Sequence, residues 1–281
     1  MHPAVAVPQA DPPPIPVLVT PAFSVGGVIG KTFSTWSKNL VPFTVLAAIV
    51  HLPTFAVGLW STYATYGGYP SFQQMMEKVR EQQAAAGPFA QWTPLMVIGQ
   101  LVMIVLTLVE FGALTYGSIQ HLAGRKVSVG ALLGAGLQRA LPVFLVGLFA
   151  GLLVMGGTLL LIVPGVIVFC ATSVAIPAAV AERKGPVEAI RRSFALTKGR
   201  RFSIWLSFLV MGLIAWTVSV VVGFVPLALG GGIASLAAAV VAFVLGAMVA
   251  PLWALLPAVA YHDLRVTKEG ADTMELARVF E

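Results

Sequence analysis

The sequence predicts an all-α protein: a polytopic membrane bundle of six transmembrane helices, with amphipathic helices at the cytoplasmic membrane interface. Of its 281 residues, 58% are hydrophobic and only 10% are charged, whereas a soluble domain carries about 25% charged residues. Several apolar runs reach the roughly 20 residues that a helix needs to cross a bilayer. The basic residues cluster at the ends of these runs and mostly on one side.

The two ends of the chain are predicted to be tails around a membrane domain of residues 23–266. Residues 1–22 hold seven of the nineteen prolines, which predicts a disordered tail. They have no basic segment leading into an apolar one, as a signal peptide would. A tether and a PxxP docking segment for a partner protein both fit this composition. Residues 267–281 are predicted to form a polar C-terminal tail.

An amphipathic helix is predicted over residues 24–39, just before the first span. Val25, Ile29, Phe33 and Trp36 share one of its faces at helical spacing. Six apolar runs then predict six spans. They are residues 40–63, 94–116, 141–163, 166–181, 202–227 and 233–261.

Charge predicts the orientation of these spans, because cytoplasmic loops carry an excess of Lys and Arg. With both termini in the cytoplasm, fifteen of the seventeen basic residues lie on the cytoplasmic side. The fifteen are Lys31, Lys38, Arg125, Lys126, Arg139, Arg183, Lys184, Arg191, Arg192, Lys198, Arg200, Arg201, Arg265, Lys268 and Arg278. The other two are Lys78 and Arg80, in the external loop 64–93. The prediction is a multi-pass protein of the bacterial inner membrane.

The chain also suggests a repeated unit of one surface helix and two spans, used three times. Residues 24–30, SVGGVIG, resemble residues 128–134, SVGALLG, 104 positions later. A third copy, around residues 185–201, shares only the spacing of its apolar residues. Chance similarity between apolar sequences is the alternative explanation.

The most charged stretch between two apolar runs is residues 185–201, GPVEAIRRSFALTKGRR. Pro186 suits the first turn of a helix, and Val187, Ile190 and Phe194 share one face. The pattern predicts an amphipathic helix lying flat on the membrane, with its apolar face down and its basic residues among the headgroups. The predicted headgroup ligands are Lys184, Lys198, Arg200 and Arg201.

Three motifs carry a resemblance to a known family. They are Pro164-Gly165, Gly185-Pro186-x-Glu188-Ala189-x-x-Arg192-Ser193-x-x-Leu196-Thr197-x-Gly199, and Tyr261-His262-Asp263-Leu264-Arg265. With them, residues 20–268 resemble the bacterial family of glycerophosphoryl diester phosphodiesterase membrane domains, which is akin to the YciC-like membrane proteins. In that family the phosphodiesterase chemistry belongs to a fused soluble barrel. The resemblance therefore implies a membrane architecture rather than hydrolysis.

Residue patterns typical of active sites are missing from the sequence. The four histidines show no metal-ligand spacing, and neither a P-loop nor a GxSxG elbow occurs. The single cysteine, Cys170, excludes an internal disulfide. The prediction is a protein that is not an enzyme and that binds no cofactor or metal.

Two ionisable residues fall inside predicted spans, Glu110 and His51. Such residues normally face a partner or water, because a charge at bilayer depth is costly. One interpretation is a proton or substrate site formed by both. The other is a protonated Glu110 and a neutral His51, hydrogen-bonded separately at different depths.

Charges around the end of the last span predict an interfacial clasp. Asp263 is expected to contact Arg191 or Arg192, and Arg265 to reach Glu188 or a lipid phosphate. The alternative is an ordinary charged helix end.

The functional expectation follows from the charge. The net charge of +6 favours anionic lipid headgroups over nucleic acid, because the basic residues adjoin apolar runs. The sequence thus predicts a non-enzymatic, lipid-interacting or membrane-organising module. The alternative is a small transporter or lipid-handling permease that uses Glu110.

Overall fold

The computed structural model describes residues 23–85, 94–228 and 232–270, and every regular element within these ranges is an α-helix. Residues 1–22 and 271–281, which contain the predicted proline-rich tail and most of the predicted C-terminal tail, lie outside the described residues. The helices are α1 (Val25–Lys38), α2 (Leu40–Tyr66), α3 (Phe72–Ala85), α4 (Pro94–Leu122), α5 (Val129–Leu160), α6 (Ile162–Thr172), α7 (Ala175–Glu182), α8 (Pro186–Thr197), α9 (Arg201–Ala228), α10 (Gly232–Val249) and α11 (Leu252–Glu269).

Six helical segments of the described chain are long and apolar enough to cross a membrane. They are Leu40–Tyr66, Val97–Leu122, Val129–Leu160, Ile162–Glu182, Arg201–Phe224 and Gly232–Glu269. Large apolar side chains on their surfaces are exposed, as lipid contact requires. The predicted all-α class with six spans is confirmed, and the chain is a multi-pass membrane protein.

Several helix bounds differ from the predicted spans. The surface helix of the second repeat copy, at residues 128–134, is instead the first part of α5, which continues through Pro142 into the third span. The fourth span consists of α6 and α7, which are separated at Ser173 and Val174. The last span consists of α10 and α11, and they join at Pro251, where proline removes a backbone donor.

The buried core lies at the bundle end that carries α1, α8 and the last turns of α11. Every residue of α11 from Ala254 to Leu264 is buried. α11 packs there against α1, α4, α7, α8 and α9. α11 is therefore the central helix of this bundle end, and its charged residues meet partners from several elements.

α1 and α8 are amphipathic, and small or polar residues form the most buried part of each helix, while Phe33, Trp36 and Ile190 of the predicted apolar faces are partly buried against the core. In α8 the buried residues are Ala189, Ser193, Leu196 and Thr197, whereas Val187 is 71% exposed. In α1 they are Val28, Thr32 and Thr35. Small residues permit close helix approach, whereas large apolar residues are equally stable against lipid tails. The large apolar residues therefore remain on the less buried face.

Three helix N-termini occupy corresponding positions in the proposed repeat. Ser24 and Ser128 are N-caps whose hydroxyls accept from the backbone N–H three residues on, at 3.1 Å and 3.3 Å. Gly185, 57 positions after Ser128, is the N-cap of α8. The three N-caps are therefore 104 and 57 positions apart, and the three copies of the repeated sequence pattern have the same separations.

Residues at equivalent positions of the three helices are also buried alike. Val28, Leu132 and Ala189, four residues after the three N-caps, are each 0% exposed. The residues four positions further on, Thr32, Gly136 and Ser193, are buried as well. Each of these three helices packs on the end of the preceding copy's second span: α1 on α11, α5 on α4, and α8 on α7. These contacts support a cyclic arrangement of three helix–span–span units.

Candidate functional site

The two ionisable residues of the spans meet in the structure. His51 Nε2 of α2 lies 3.1 Å from Glu110 Oε2 of α4, and the carboxylate side chain is only 5% exposed. The other oxygen, Glu110 Oε1, is buried and has no hydrogen-bond partner. This pair can hold a shared proton, either as imidazolium with carboxylate or as a neutral hydrogen bond.

The interpretation that placed these residues at different depths is wrong, because the two helices are antiparallel. His51 follows the start of α2 by 11 residues, and Glu110 precedes the end of α4 by 12. At 1.5 Å of rise per residue, both lie about 17 Å from the same bundle end. The pair therefore lies at mid-span.

A groove between α2 and α4 lies beside this pair. It has a volume of about 490 Å³ and is lined by Thr54, Gln100, Met103, Ile104, Thr107 and Leu108. Thr54 and Thr107 are each three residues, about one helical turn, from His51 and Glu110 respectively. The groove therefore has polar side chains about one turn from the pair, although neither His51 nor Glu110 is among its lining residues.

A second polar cluster, here called the junction, ties α8 to the ends of α7 and α11. Arg192 donates from Nε to Glu182 Oε1 at 2.8 Å and from Nη2 to Glu269 Oε2 at 2.7 Å. Tyr261 Oη donates to Glu182 Oε1 at 2.7 Å. The hydrogen bond to Glu269, supported by that to Glu182, raises the pKa of Arg192 above its ordinary value. The guanidinium is therefore a permanent cation that joins two carboxylates.

Asp263 contacts a different helix from the one predicted. Lys31 Nζ of α1 donates to Asp263 Oδ1 at 2.7 Å, and His262 Nδ1 lies 3.2 Å from the same oxygen. The expected contact of Asp263 with Arg191 or Arg192 is wrong. α1 packs against α11 at this bundle end, and this packing brings Lys31 to Asp263.

The other predicted clasp residues are also placed differently. Arg265 pairs with Glu269 at 3.2 Å rather than with Glu188. Glu188 and Arg191 are exposed on α8. The clasp between α8 and α11 exists, but its acids are Glu182 and Glu269.

The predicted headgroup ligands divide into two groups. Lys184 pairs with Glu182 at 2.6 Å, and the Arg201 guanidinium lies 5.7 Å from the centre of the Phe194 ring. Lys198 is exposed and Arg200 half-buried at the turn between α8 and α9. The lysine and arginine at this turn are the freest to reach headgroups.

Sequence reasoning did not identify Lys31 as the partner of Asp263, or Glu182 and Glu269 as the partners of Arg192. One signal was available for Lys31, because the 161-residue offset of the repeat aligns it with Arg192. Each of these cations joins α11 to an amphipathic helix.

Within the described residues, no group of three or more His, Cys, Asp or Glu residues could hold a metal ion. No family model, curated protein or solved structure matches the chain. The resemblance to the phosphodiesterase membrane-domain family therefore stays a prediction from its three motifs.

Proposed function

We propose that this integral membrane protein is a non-enzymatic module that gathers anionic lipid at the cytoplasmic leaflet of a bacterial inner membrane. The observation that carries the proposal is the charge of one bundle end. Fourteen described basic residues lie there, against four acidic ones: Glu182, Glu188, Asp263 and Glu269. At the opposite end, on α3, Lys78 and Arg80 are balanced by Glu77 and Glu81.

Ion pairs of the junction and of Asp263 support this proposal because they already involve three of the four acids. Glu182 and Glu269 pair with Arg192, and Asp263 pairs with Lys31. The described residues of this bundle end keep a formal excess of ten positive charges, fourteen basic against four acidic residues, at the level of the headgroups. Each basic residue near an anionic membrane contributes about 1 kcal/mol of attraction.

Spin-labelled lipids test the proposal directly. The protein is reconstituted in phosphatidylcholine vesicles that contain trace spin-labelled phosphatidylglycerol or phosphatidylcholine, and electron paramagnetic resonance measures the motionally restricted fraction of each. We expect the anionic label to be preferred about threefold or more, with the preference reduced in high salt. Equal restricted fractions of the two labels at low salt would contradict the proposal.

The groove beside the His51–Glu110 pair favours a second function, a permease or lipid translocator. Translocation of fluorescent nitrobenzoxadiazole-labelled lipid is measured by dithionite quenching in proteoliposomes, with Glu110→Gln as the test variant. Glu77→Gln, an equal change on exposed α3, is the matched control. Translocation that needs Glu110 but not Glu77 supports the permease. Rates equal to those of protein-free vesicles reject it and leave the lipid-gathering function untouched.

A further inference from the structure

A cationic cavity opens between α5 and the end of α7, next to Glu182 of the junction. Its volume is about 380 Å³. Four polar side chains line it: Gln138 and Arg139 from α5, and Arg183 and Lys184 from the α7–α8 connection. None of its lining residues is acidic. This cavity, which we call the phosphate cavity, has a lining suited to an anion.

The backbone holds the basic side chains at the cavity with little freedom. Arg183 ends α7 in the left-handed region, at φ 49°, and is the only non-glycine residue with positive φ in the described chain. This conformation is unfavourable for a residue with a Cβ. Arg139 is fixed by a 3.2 Å hydrogen bond from Nη1 to the Ala135 carbonyl, and its guanidinium lies 5.1 Å from the Tyr116 ring centre.

The described lining of the cavity has three basic side chains and no acidic one. Glu182 is the nearby acid, and it pairs with Lys184 at 2.6 Å. The same carboxylate also accepts from Arg192 and Tyr261. One shared carboxylate therefore serves several cations. Like charges held around one cavity repel each other unless an anion binds among them.

The repeat provides an independent observation. The positions equivalent to Arg139 are Thr35 in α1 and Leu196 in α8, and each is 2% exposed. In the first and third copies this position is therefore buried inside the protein. In the second copy it carries an arginine at the wall of a cavity. The departure from the repeat therefore coincides with the cavity.

We propose that the phosphate cavity binds the phosphate ester of an anionic phospholipid. Arginine guanidinium groups match phosphate oxygens with two parallel hydrogen bonds. Gln138 can donate to an ester or headgroup oxygen. Leu137 and Leu141 beside the cavity are 68% and 67% exposed, and they offer an apolar surface to acyl chains. The lipid would join α5 to α7. This inference rests on the proposed function and gives it a specific site.

Native mass spectrometry of the full chain in detergent tests the site with phosphatidylglycerol and phosphatidylcholine as probes. The test variant is Arg183→Gln, because Arg183 is exposed and surface substitutions usually change stability little. The control is Lys126→Gln, an equal charge change at another exposed position of the same bundle end. We expect Arg183→Gln to weaken phosphatidylglycerol binding about tenfold, as loss of charged hydrogen bonds does, and the control to weaken it less than about twofold.

A second variant, Arg139→Lys, keeps the charge but removes the guanidinium fork, and we expect it to weaken binding as well. Equal losses in Arg183→Gln and Lys126→Gln would show diffuse attraction, and no loss in either would show binding elsewhere. Both results overturn the cavity site and leave the proposed function standing. Wild-type protein that does not prefer phosphatidylglycerol over phosphatidylcholine would overturn both.

The source of the phosphate is tested with glycerol 3-phosphate. If the lipid is the occupant, this soluble ester competes only weakly with phosphatidylglycerol, because it lacks acyl chains. Competition at the affinity of the lipid, sensitive to Arg183→Gln, would overturn the lipid as the occupant.

Discussion

Replacement of Arg192 by alanine tests whether the junction holds α8 to the rest of the bundle. The change removes the cation between Glu182 and Glu269. Arg192 donates hydrogen bonds to these two carboxylates at 2.8 Å and 2.7 Å. The neighbouring arginine, Arg191, is exposed on the same helix. Arg191→Ala is therefore a control with the same loss of charge and the same change in helix propensity.

The expected loss follows from the exposure of the two acids. The Glu182 side chain is 12% exposed and that of Glu269 is 33% exposed. Loss of a hydrogen bond to a charged group costs about 1.5–3 kcal/mol, and the more exposed pair contributes about 0–1 kcal/mol. Because Tyr261 and Lys184 still contact Glu182, we expect about 2–3 kcal/mol in total rather than the roughly 3–5 of an isolated buried pair.

Thermal unfolding in detergent, followed by circular dichroism, measures the loss. Arg192→Ala should lower Tm by roughly 5–10 °C, and Arg191→Ala should change the free energy of unfolding by less than about 0.5 kcal/mol. The double variant Arg192→Ala with Glu269→Ala should be less destabilised than the sum of the two single changes. Equal shifts for the two arginines would refute the assignment of Arg192 as the link between α7, α8 and α11.

Three further outcomes are expected. Lys31→Ala and Asp263→Ala should be non-additive in the free energy of unfolding, since they form one 2.7 Å contact; additive losses would contradict the pair. Gly136→Ala should destabilise by about 1–3 kcal/mol because its Cβ would lie 2.7 Å from an α4 carbonyl, whereas Gly134→Ala, with open space around it, should stabilise slightly; equal Tm values would contradict this packing. Glu110→Gln should insert and fold normally, because an amide can keep the 3.1 Å histidine contact; degradation of this variant in cells, with Glu110→Asp stable, would indicate an ionised carboxylate.

Hydrophobic run length predicted the spans well because each long run of the described chain can satisfy its backbone only as a helix in the membrane. The same reasoning said less about the amphipathic helices. It predicted that Val187, Ile190 and Phe194 of α8 face the membrane, but it did not identify Ala189 and Ser193 as residues that pack on the protein. Large apolar residues gain nothing from protein over lipid, and small ones allow close approach. In a membrane the apolar stripe of a helix therefore need not be its protein-facing side.

Charge partners could be predicted only in part. The sequence placed Asp263 and Arg192 at one depth, and both do belong to contacts at that bundle end. It could not show that Asp263 meets Lys31, 232 positions away. That contact depends on the packing of α1 against α11, which no local pattern encodes. His51 and Glu110 could have been matched by counting residues from the common bundle end.

Sidedness of the basic bundle end is the premise on which the lipid-gathering function depends. Single cysteines at Lys126 and Gln73, both exposed, are introduced in a Cys170→Ala background and treated with a membrane-impermeant maleimide in bacterial spheroplasts. We expect the cysteine at position 73 to be labelled directly and the one at position 126 to be labelled only after the membrane is permeabilised. Direct labelling at position 126, with position 73 protected, would place the basic end outside and contradict the lipid-gathering function at the cytoplasmic leaflet.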